Sequence, residues 1–336
     1  MKKNLQKVLI LALGLTTTIA SAQWSANSTT WVDNTNSDAR EASSRITVGF
    51  DMSGVHVSSD YKATMGATGT TQSNANVYEA YVSTDVMGYG TLTLGRQDLS
   101  FGSGALISSN EWGWGERYTT DGANFAANFS GFDINAGTLS GINTSSNYIN
   151  AAGSFSGVSV NVLMIDNNDV KSHGYDFGYS MMDGALNLSY SMNDDGQGSE
   201  MTHMGASYQV FDNMSAHASM RAYSGEPNQD LTVNTFTAVN SAWTDGLSAG
   251  VLPHFNNGAE ILSYGINYDL GDISLSYTMH TVSDDENVNL DGSDIADLDL
   301  TDMSVSYKLN DNTSLGYRSY TLEGENVNFI TVQIGM

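Results

Sequence analysis

The chain has no cysteine and only two prolines among its 336 residues. Without cysteine there is no disulfide framework, so a protein of this size must be held together by its sheet. Few prolines suit a chain in which most backbone N–H groups belong to hydrogen-bonded ladders, and the 34 glycines suit tight turns and closely packed strands. These absences already favour an all-β protein.

Basic residues are also scarce. There are 12 Lys and Arg residues against 37 Asp and Glu, which gives a net charge of −25. The sequence has no basic patch, and its charge opposes binding to the phosphate backbone of a nucleic acid. Nucleic acid is therefore excluded as an expected partner.

Long apolar runs are missing except at the N-terminus, which has the parts of a signal peptide. Three lysines precede an apolar core, Val8 to Leu15, and an A-x-A cleavage motif ends at Ala22. We predict a signal peptide over residues 1–22 and a mature domain over 23–336. Its removal takes three basic residues and no acidic one, so the mature net charge is 9 − 37 = −28. Beyond it no apolar run is long enough for a membrane helix, but alternating strands of about ten residues can also cross a membrane.

The clearest such strands lie in Val77 to Gln97, where two alternating runs flank a turn at Met87-Gly88. A period of two indicates a β-hairpin with an apolar face and a polar face. In the first run, the apolar face is predicted to carry Tyr78, Ala80, Val82, Thr84 and Val86. The polar face is predicted to carry Glu79, Tyr81, Ser83 and Asp85.

The hairpin segment EAYVSTDVMGYGTLTLGRQ resembles the hairpin of Gram-negative outer-membrane porins. In those proteins an E-A-x-V segment, a short turn with an aromatic residue and Gly, and a closing G-R-Q follow in this order. The continuation, Asp98 to Phe125, resembles the alginate-export type of porin. The resemblance covers about fifty residues and implies a transmembrane β-barrel in the outer membrane.

The rest of the chain alternates short turns with longer polar loops, the pattern of a barrel with short periplasmic turns and long extracellular loops. Aromatic residues beside the short turns indicate an interfacial girdle. Nine short turns, one of them at Thr244-Asp245-Gly246, plus a first and a last strand give twenty strands by literal count, whereas porin-like families have sixteen or eighteen. We predict an antiparallel barrel of 16–20 strands, centred on 18.

Porin resemblance also implies that the loop after the fifth strand folds into the pore. Here that loop is residues 98–119, the candidate pore-constricting loop, with Trp112 and Trp114 packing it to the wall or offering a stacking surface. The candidate residues for the pore lining and its constriction are Arg45, Glu79, Arg96, Asp98, Glu111, Glu116, Arg117, Arg221 and Arg318.

Alternation places Arg45 and Arg221 on the lumenal face, whereas Arg96 is ambiguous. Strict alternation puts Arg96 on the lipid side with Leu92 and Leu94, but the corresponding arginine of general porins lines the channel. A bulge near Gly95, or a position above the membrane band, would reconcile the two. For each arginine, bracing of loops by ion pairs is an equally supported role.

The leading functional prediction is a porin that passes small hydrophilic solutes and ions and prefers cations because of its acidic charge. Expected partners are outer-membrane lipid, lipopolysaccharide and the barrel-assembly machinery. The general-porin resemblance implies a homotrimer and the alginate-export resemblance a monomer. The alternatives are an adhesin or receptor that uses acidic extracellular loops and, third, an outer-membrane hydrolase.

Enzymatic motifs are absent from the sequence. There is no G-x-S-x-G motif, P-loop or dinucleotide fingerprint, and the six histidines lack metal-ligand spacing. The acidic stretch Ser283 to Asp302 matches an EF-hand loop only at positions 1, 3, 5 and 6, so a solvated loop is the favoured interpretation. The prediction is a non-enzyme with no cofactor and no metal site.

Overall fold

The computed structural model describes residues 23–34, 41–66, 71–107, 119–140, 145–167, 170–196, 198–225, 260–283, 298–322 and 325–335. The predicted signal peptide lies outside these residues. No helix among them is long and apolar enough to cross a membrane. The strands are β1 Gln23–Asp33, β2 Glu41–Met52, β3 Val55–Met65, β4 Thr71–Asp85, β5 Thr91–Gln97, β6 Thr120–Phe129, β7 Phe132–Ser140, β8 Ser145–Phe155, β9 Val158–Asn167, β10 Val170–Met181, β11 Leu186–Asp194, β12 Ser199–Phe211, β13 Met214–Gly225, β14 Glu260–Asp269, β15 Ile273–Ser283, β16 Leu298–Asn310, β17 Thr313–Leu322 and β18 Glu325–Gly335.

The strands form one closed antiparallel barrel of 18 strands. Each strand pairs with the next in sequence, and β1 also pairs with β18, for example through Trp31 and Thr331. Closure leaves no sheet edge whose N–H and C=O groups would face lipid, which is the condition for a sheet to span a membrane. The predicted all-β barrel and its central estimate of eighteen strands are confirmed.

The literal count of twenty was wrong because of the turn placed at Thr244-Asp245-Gly246. This tripeptide falls within residues 226–259, outside the described part of the chain. In the barrel wall β13 pairs directly with β14, Arg221 lying opposite Ile261, so no further hairpin stands between them.

The short turns all lie at one rim. Four of them place two consecutive residues at positive φ, as at Ser53-Gly54 and Ser130-Gly131, which is the geometry whose twist matches a hairpin. Both chain ends of the barrel meet the same rim: Gln23 pairs with Asp51, beside the first turn, and Gly335 donates its N–H to the carbonyl of Asn312 at 2.8 Å.

The outer face of the barrel is apolar and its turn-side rim is aromatic. Side chains such as Ile46, Val48 and Leu94 are 41%, 42% and 45% exposed, although they belong to the middle of strands. A water-soluble protein would bury such a belt, whereas a barrel in lipid exposes it. The most exposed aromatic residues at the turn-side rim are Trp24, Tyr89, Phe129, Phe155 and Phe211.

One predicted face is wrong, at Tyr78. The register of β3 and β4 shifts so that Ser58 pairs with Glu79 and Ser59 pairs with Val77, which leaves Tyr78 as the extra residue of a β-bulge. Such an insertion moves every residue beyond it to the opposite face. Val77 is accordingly 46% exposed on the outside, and Tyr78 is only 6% exposed.

Candidate functional site

The candidate site is the lumen, and it begins where β5 ends early. This strand has 7 residues, whereas β4 beside it has 15. The chain therefore leaves the wall after Gln97, well below the upper end of β4. Residues 98–107, which we call the inward segment, continue from this point into the barrel.

The inward segment crosses the lumen to the wall formed by β8–β11. The ring of Phe101 lies 5.3 Å from that of Tyr148 on β8. Asn193 on β11 donates a hydrogen bond to the Ser103 hydroxyl at 3.2 Å. A β-carbon at Gly174 on β10 would lie 3.2 Å from Leu106 Cδ1, so this glycine leaves room for the leucine.

Apolar packing holds the far end of the segment. Ala105, Leu106 and Ile107 are 2%, 1% and 0% exposed. The same side of the lumen carries buried Leu139, Leu163 and Ile165, at 1%, 2% and 2%. Fully burying one such side chain contributes about 1.5–3 kcal/mol. The segment is therefore seated on a small hydrophobic core inside an otherwise polar lumen.

A chain of hydrogen-bonded polar side chains, which we call the polar relay, lies beside this core. Asn150 donates to Asn161 Oδ1 at 2.6 Å, and Asn161 donates to Asp176 Oδ2 at 2.9 Å. Gly102, at φ +58°, rests on the relay: a β-carbon there would be 1.9 Å from Asp176 Oδ2 and 2.3 Å from Asn161 Nδ2. The backbone angle favours glycine here, and a larger residue would also displace the side chains of Asp176 and Asn161.

Across the lumen from this seat, the wall is basic and aromatic. Arg45, only 8% exposed, lies with its guanidinium carbon 5.4 Å from the centre of the Trp31 ring. Arg318 binds Asp302 through two hydrogen bonds of 3.0 and 2.6 Å. Arg45, Trp31 and Arg318 line one cavity of about 750 Å³. This wall offers cationic groups that are already oriented.

A second cavity of about 700 Å³ lies against the inward segment. Gly102 and Ser103 form one side of it, and Asp176, His203 and Arg221 contribute polar groups from the wall. In the sheet His203 is paired with Arg221, which is 6% exposed. Among the described residues, open space therefore remains both beside the inward segment and along the basic wall.

The structure distributes the predicted site residues unevenly. Arg45, Arg221 and Arg318 face the lumen, as does Glu79, whose Oε1 accepts the backbone N–H of Asp98 at 3.2 Å. Arg45 and Arg318 share a cavity, whereas Arg221 lines the other. Asp98 is the first residue of the inward segment. The candidates Glu111, Glu116 and Arg117, together with Trp112 and Trp114, lie outside the described residues.

Arg96 lies on the outer face of the barrel. No register shift separates β5 from β4 or β6, so Arg96 shares a face with Leu94 and pairs with Asp121. Its guanidinium binds that carboxylate at 2.8 and 2.9 Å and donates to the carbonyl of Val77 at 3.4 Å. The placement of Arg96 in the pore lining was wrong because no bulge moves it inward. Its contacts brace the end of β5 against β4 and β6.

Sequence reasoning missed several lumenal residues that alternation could have placed. Asp176, Asn161 and His203 occupy inward positions of regular strands, but nothing in the sequence shows which of them meet across strands. Among the described residues, no group of three or more histidine, aspartate or glutamate side chains could hold a metal ion. Most of the acidic stretch that was compared with an EF-hand, 284–297, lies outside them.

No protein-family model and no curated protein matches the chain. Its fold does match solved structures from Pseudomonas aeruginosa. OccK8 (OprE) gives a TM-score of 0.69 at 11% identity, covering 95% of this chain and 98% of that one. OpdK solved with vanillate gives 0.69 at 11%, covering 94% and 98%. The outer membrane protein OprD gives 0.62 at 12%, covering 94% and 93%.

These neighbours are outer-membrane porins and not enzymes. The finer resemblance to general porins and alginate-export porins stays a prediction. At identities of 11–12% the likeness concerns the fold. The chain therefore has the fold of the Occ and OprD outer-membrane porins.

Proposed function

We propose that the protein is an outer-membrane porin that passes small hydrophilic solutes and ions passively. The observation that carries this proposal is a closed barrel with an apolar outer face and a polar lumen. The inward segment crosses this lumen but does not fill it. Cavities of about 750 and 700 Å³ remain within the lumen. A wide barrel with a wet interior is a conduit rather than a packed core.

The constriction belongs to the same proposal. Residues 98–119 would narrow the pore, with the described part, 98–107, seated on β8–β11. Because the seat lies on one side, the passage would run along the opposite wall, past Arg45 and Arg318. The path of a solute would thus be eccentric.

We further propose that the channel prefers cations. With the predicted signal peptide removed, the chain would carry a net charge near −28. Among the described residues on the lumenal face of the strands, acidic side chains also outnumber basic ones. The inward acids include Asp33, Asp51, Asp60, Glu79, Asp133, Asp176 and Asp302, and the inward bases among the described residues are Arg45, Lys62, Arg221, Lys308 and Arg318. A surplus of acid in a confined aqueous path raises the local concentration of cations.

In a planar bilayer under a salt gradient, the reversal potential should indicate preference for potassium over chloride. The preference should fall as salt rises, because screening shortens the range of the lumenal charges. Asp60→Asn, which alters an inward carboxylate bound by the Thr47 hydroxyl at 2.7 Å, should lower the preference. Asp166→Asn, on the outer face, is the matched control.

A reversal potential of the opposite sign would refute cation preference while leaving the channel intact. Correctly folded barrels that conduct no current would refute the channel itself. In that case the adhesin or receptor alternative would take its place.

A second candidate function is selection of solutes that carry a carboxylate. The supporting observation is Arg45 held over the Trp31 ring beside Arg318, since guanidinium groups bind carboxylates in two-pronged fashion and aromatic rings offer a stacking face. OpdK, which was solved with vanillate, shares the fold. A basic wall inside an acidic channel would let such a solute bind locally.

Vanillate added to one side of the bilayer should then reduce the current through single channels in a concentration-dependent way. Arg45→Gln should raise the half-blocking concentration about tenfold, the equivalent of a lost charged hydrogen bond. Arg96→Gln, on the outer face, should leave it unchanged. Equal block of the wild-type and Arg45→Gln channels would contradict the second candidate.

A further inference from the structure

The β-bulge in β4 has a consequence for the pore. It places two consecutive side chains, Tyr78 and Glu79, on the lumenal side of the wall, whereas a regular strand would send them to opposite faces. They stand next to the point where β5 ends and the inward segment begins. Bulges commonly re-aim side chains, and here both side chains contact the inward segment.

Both side chains bind the same residue, Asp98, the first of the inward segment. The Tyr78 hydroxyl donates a hydrogen bond to Asp98 Oδ2. Glu79 Oε1 accepts the backbone N–H of Asp98 at 3.2 Å. One contact holds the side chain of Asp98 and the other holds its backbone, so together they restrict the direction in which the chain leaves the wall.

Glu79 is itself held in place by His56. His56 Nε2 lies 3.4 Å from Glu79 Oε2, and His56 Nδ1 lies 2.7 Å from Asp51 Oδ1. The Tyr81 ring stacks on the His56 ring with their centres 4.8 Å apart. The side chains of His56 and Glu79 are only 15% and 19% exposed. This packing limits the rotamers available to Glu79 and so makes it a fixed acceptor.

We propose that Tyr78 and Glu79 form a latch that positions the inward segment and thereby sets the width of the pore. The inference rests on the proposed channel function and adds the residues that define its open cross-section. The far end of the segment is seated by Leu106 and its neighbours. The latch fixes the near end, so that residues 98–102 cannot swing toward the Arg45 side of the lumen.

The conductance of single channels tests the latch. Tyr78→Phe and Glu79→Ala should broaden the distribution of conductance levels and increase the open-channel noise, because the near end of the segment becomes mobile. Glu79→Gln keeps an oxygen acceptor for the Asp98 N–H and should therefore retain the wild-type conductance distribution and open-channel noise. Tyr61→Phe, on the outer face where Tyr61 is 48% exposed, is the matched control. Only barrels that show heat-modifiable migration on gels, and are therefore folded, are compared.

A second readout does not depend on conduction. The chain has no cysteine, so the double variant Ser103→Cys/Asn193→Cys reports the position of the segment by its rate of disulfide cross-linking. Tyr78→Phe in this background should slow the cross-linking several-fold. Slower cross-linking in a barrel that conducts nothing would support the latch and refute the channel. If Tyr78→Phe left the cross-linking rate or the conductance distribution at the wild-type value, the latch would be refuted. Because this variant removes only one oxygen atom, it tests the proposal even if Glu79→Ala does not fold.

Discussion

Replacing Leu106 by aspartate is expected to release the inward segment and to raise the single-channel conductance several-fold. Leu106 is 1% exposed and packs beside Gly174 on the far wall. Truncating a buried leucine costs about 2–5 kcal/mol, and an unpaired carboxylate in the same apolar site costs several kcal/mol more. The total exceeds the contribution of about 1.5–3 kcal/mol that the burial of Ile107, the neighbouring large side chain, still makes at this end of the segment. The barrel itself should persist, since its wall does not depend on the segment.

Leu106→Met is the control for this experiment. It conserves volume and apolar character, and such exchanges cost less than about 1.5 kcal/mol, so its conductance should equal that of the wild type. Both variants are measured in planar bilayers after heat-modifiable migration has shown that the barrels are folded. An unchanged conductance in folded Leu106→Asp would mean that the inward segment does not limit the current.

The sequence itself contains a signal for this seat. Ala105, Leu106 and Ile107 are three consecutive apolar residues in a segment between strands, where solvent-exposed loops are normally polar. The prediction instead gave Trp112 and Trp114 the role of packing the loop to the wall or offering a stacking surface, and both lie outside the described residues. In the structure this triplet packs against an apolar patch inside the lumen, where Leu106 lies beside Gly174.

The wall of the barrel was predictable because its rule is local. In β2, Ile46 and Val48 face lipid and Arg45 faces the lumen, as a period of two requires. Arg96 obeys the same rule and faces outward. The resemblance to general porins predicted an inward direction for this arginine, which was wrong. A side chain keeps the direction it has in a related protein only if the bulges of the strand are the same in both.

The bulge at Tyr78 could not be predicted from the strand itself. The stretch around it alternates well enough in either register, so nothing local marks the extra residue. What selects the bulge is non-local: Val77 gains the lipid face, while Tyr78 and Glu79 gain Asp98 as a shared partner across the gap left by short β5. Lumenal pairings such as Asn161 with Asp176 are non-local in the same way, since they depend on the registers of separate strands.

Close approach across the sheet is a further non-local feature, and Gly137 on β7 is its sharpest case. The Tyr148 side chain on β8 reaches across β7 to donate a hydrogen bond to Asn124 Oδ1 on β6 at 2.7 Å. A β-carbon at Gly137 would lie 2.9 Å from the Tyr148 hydroxyl and 1.9 Å from the carbonyl oxygen of Ala123. Glycine is thus required by the space that Tyr148 and the neighbouring backbone occupy.

Gly137→Val is therefore expected to destabilise the barrel strongly. Overpacking alone costs about 1–3 kcal/mol, and the cost here should exceed that range because the nearest atom belongs to the backbone and cannot rotate away. The fraction of heat-modifiable barrel after refolding into vesicles should fall sharply. Tyr148, which also contacts Phe101 of the inward segment at 5.3 Å, would be displaced, so channels that do fold should be noisier. The matched control is Ala136→Val, one residue earlier and facing lipid, which should fold as the wild type does. If the two variants folded equally well, β6 and β7 could separate enough to admit a side chain. The position of Tyr148 would then not depend on the space left by Gly137.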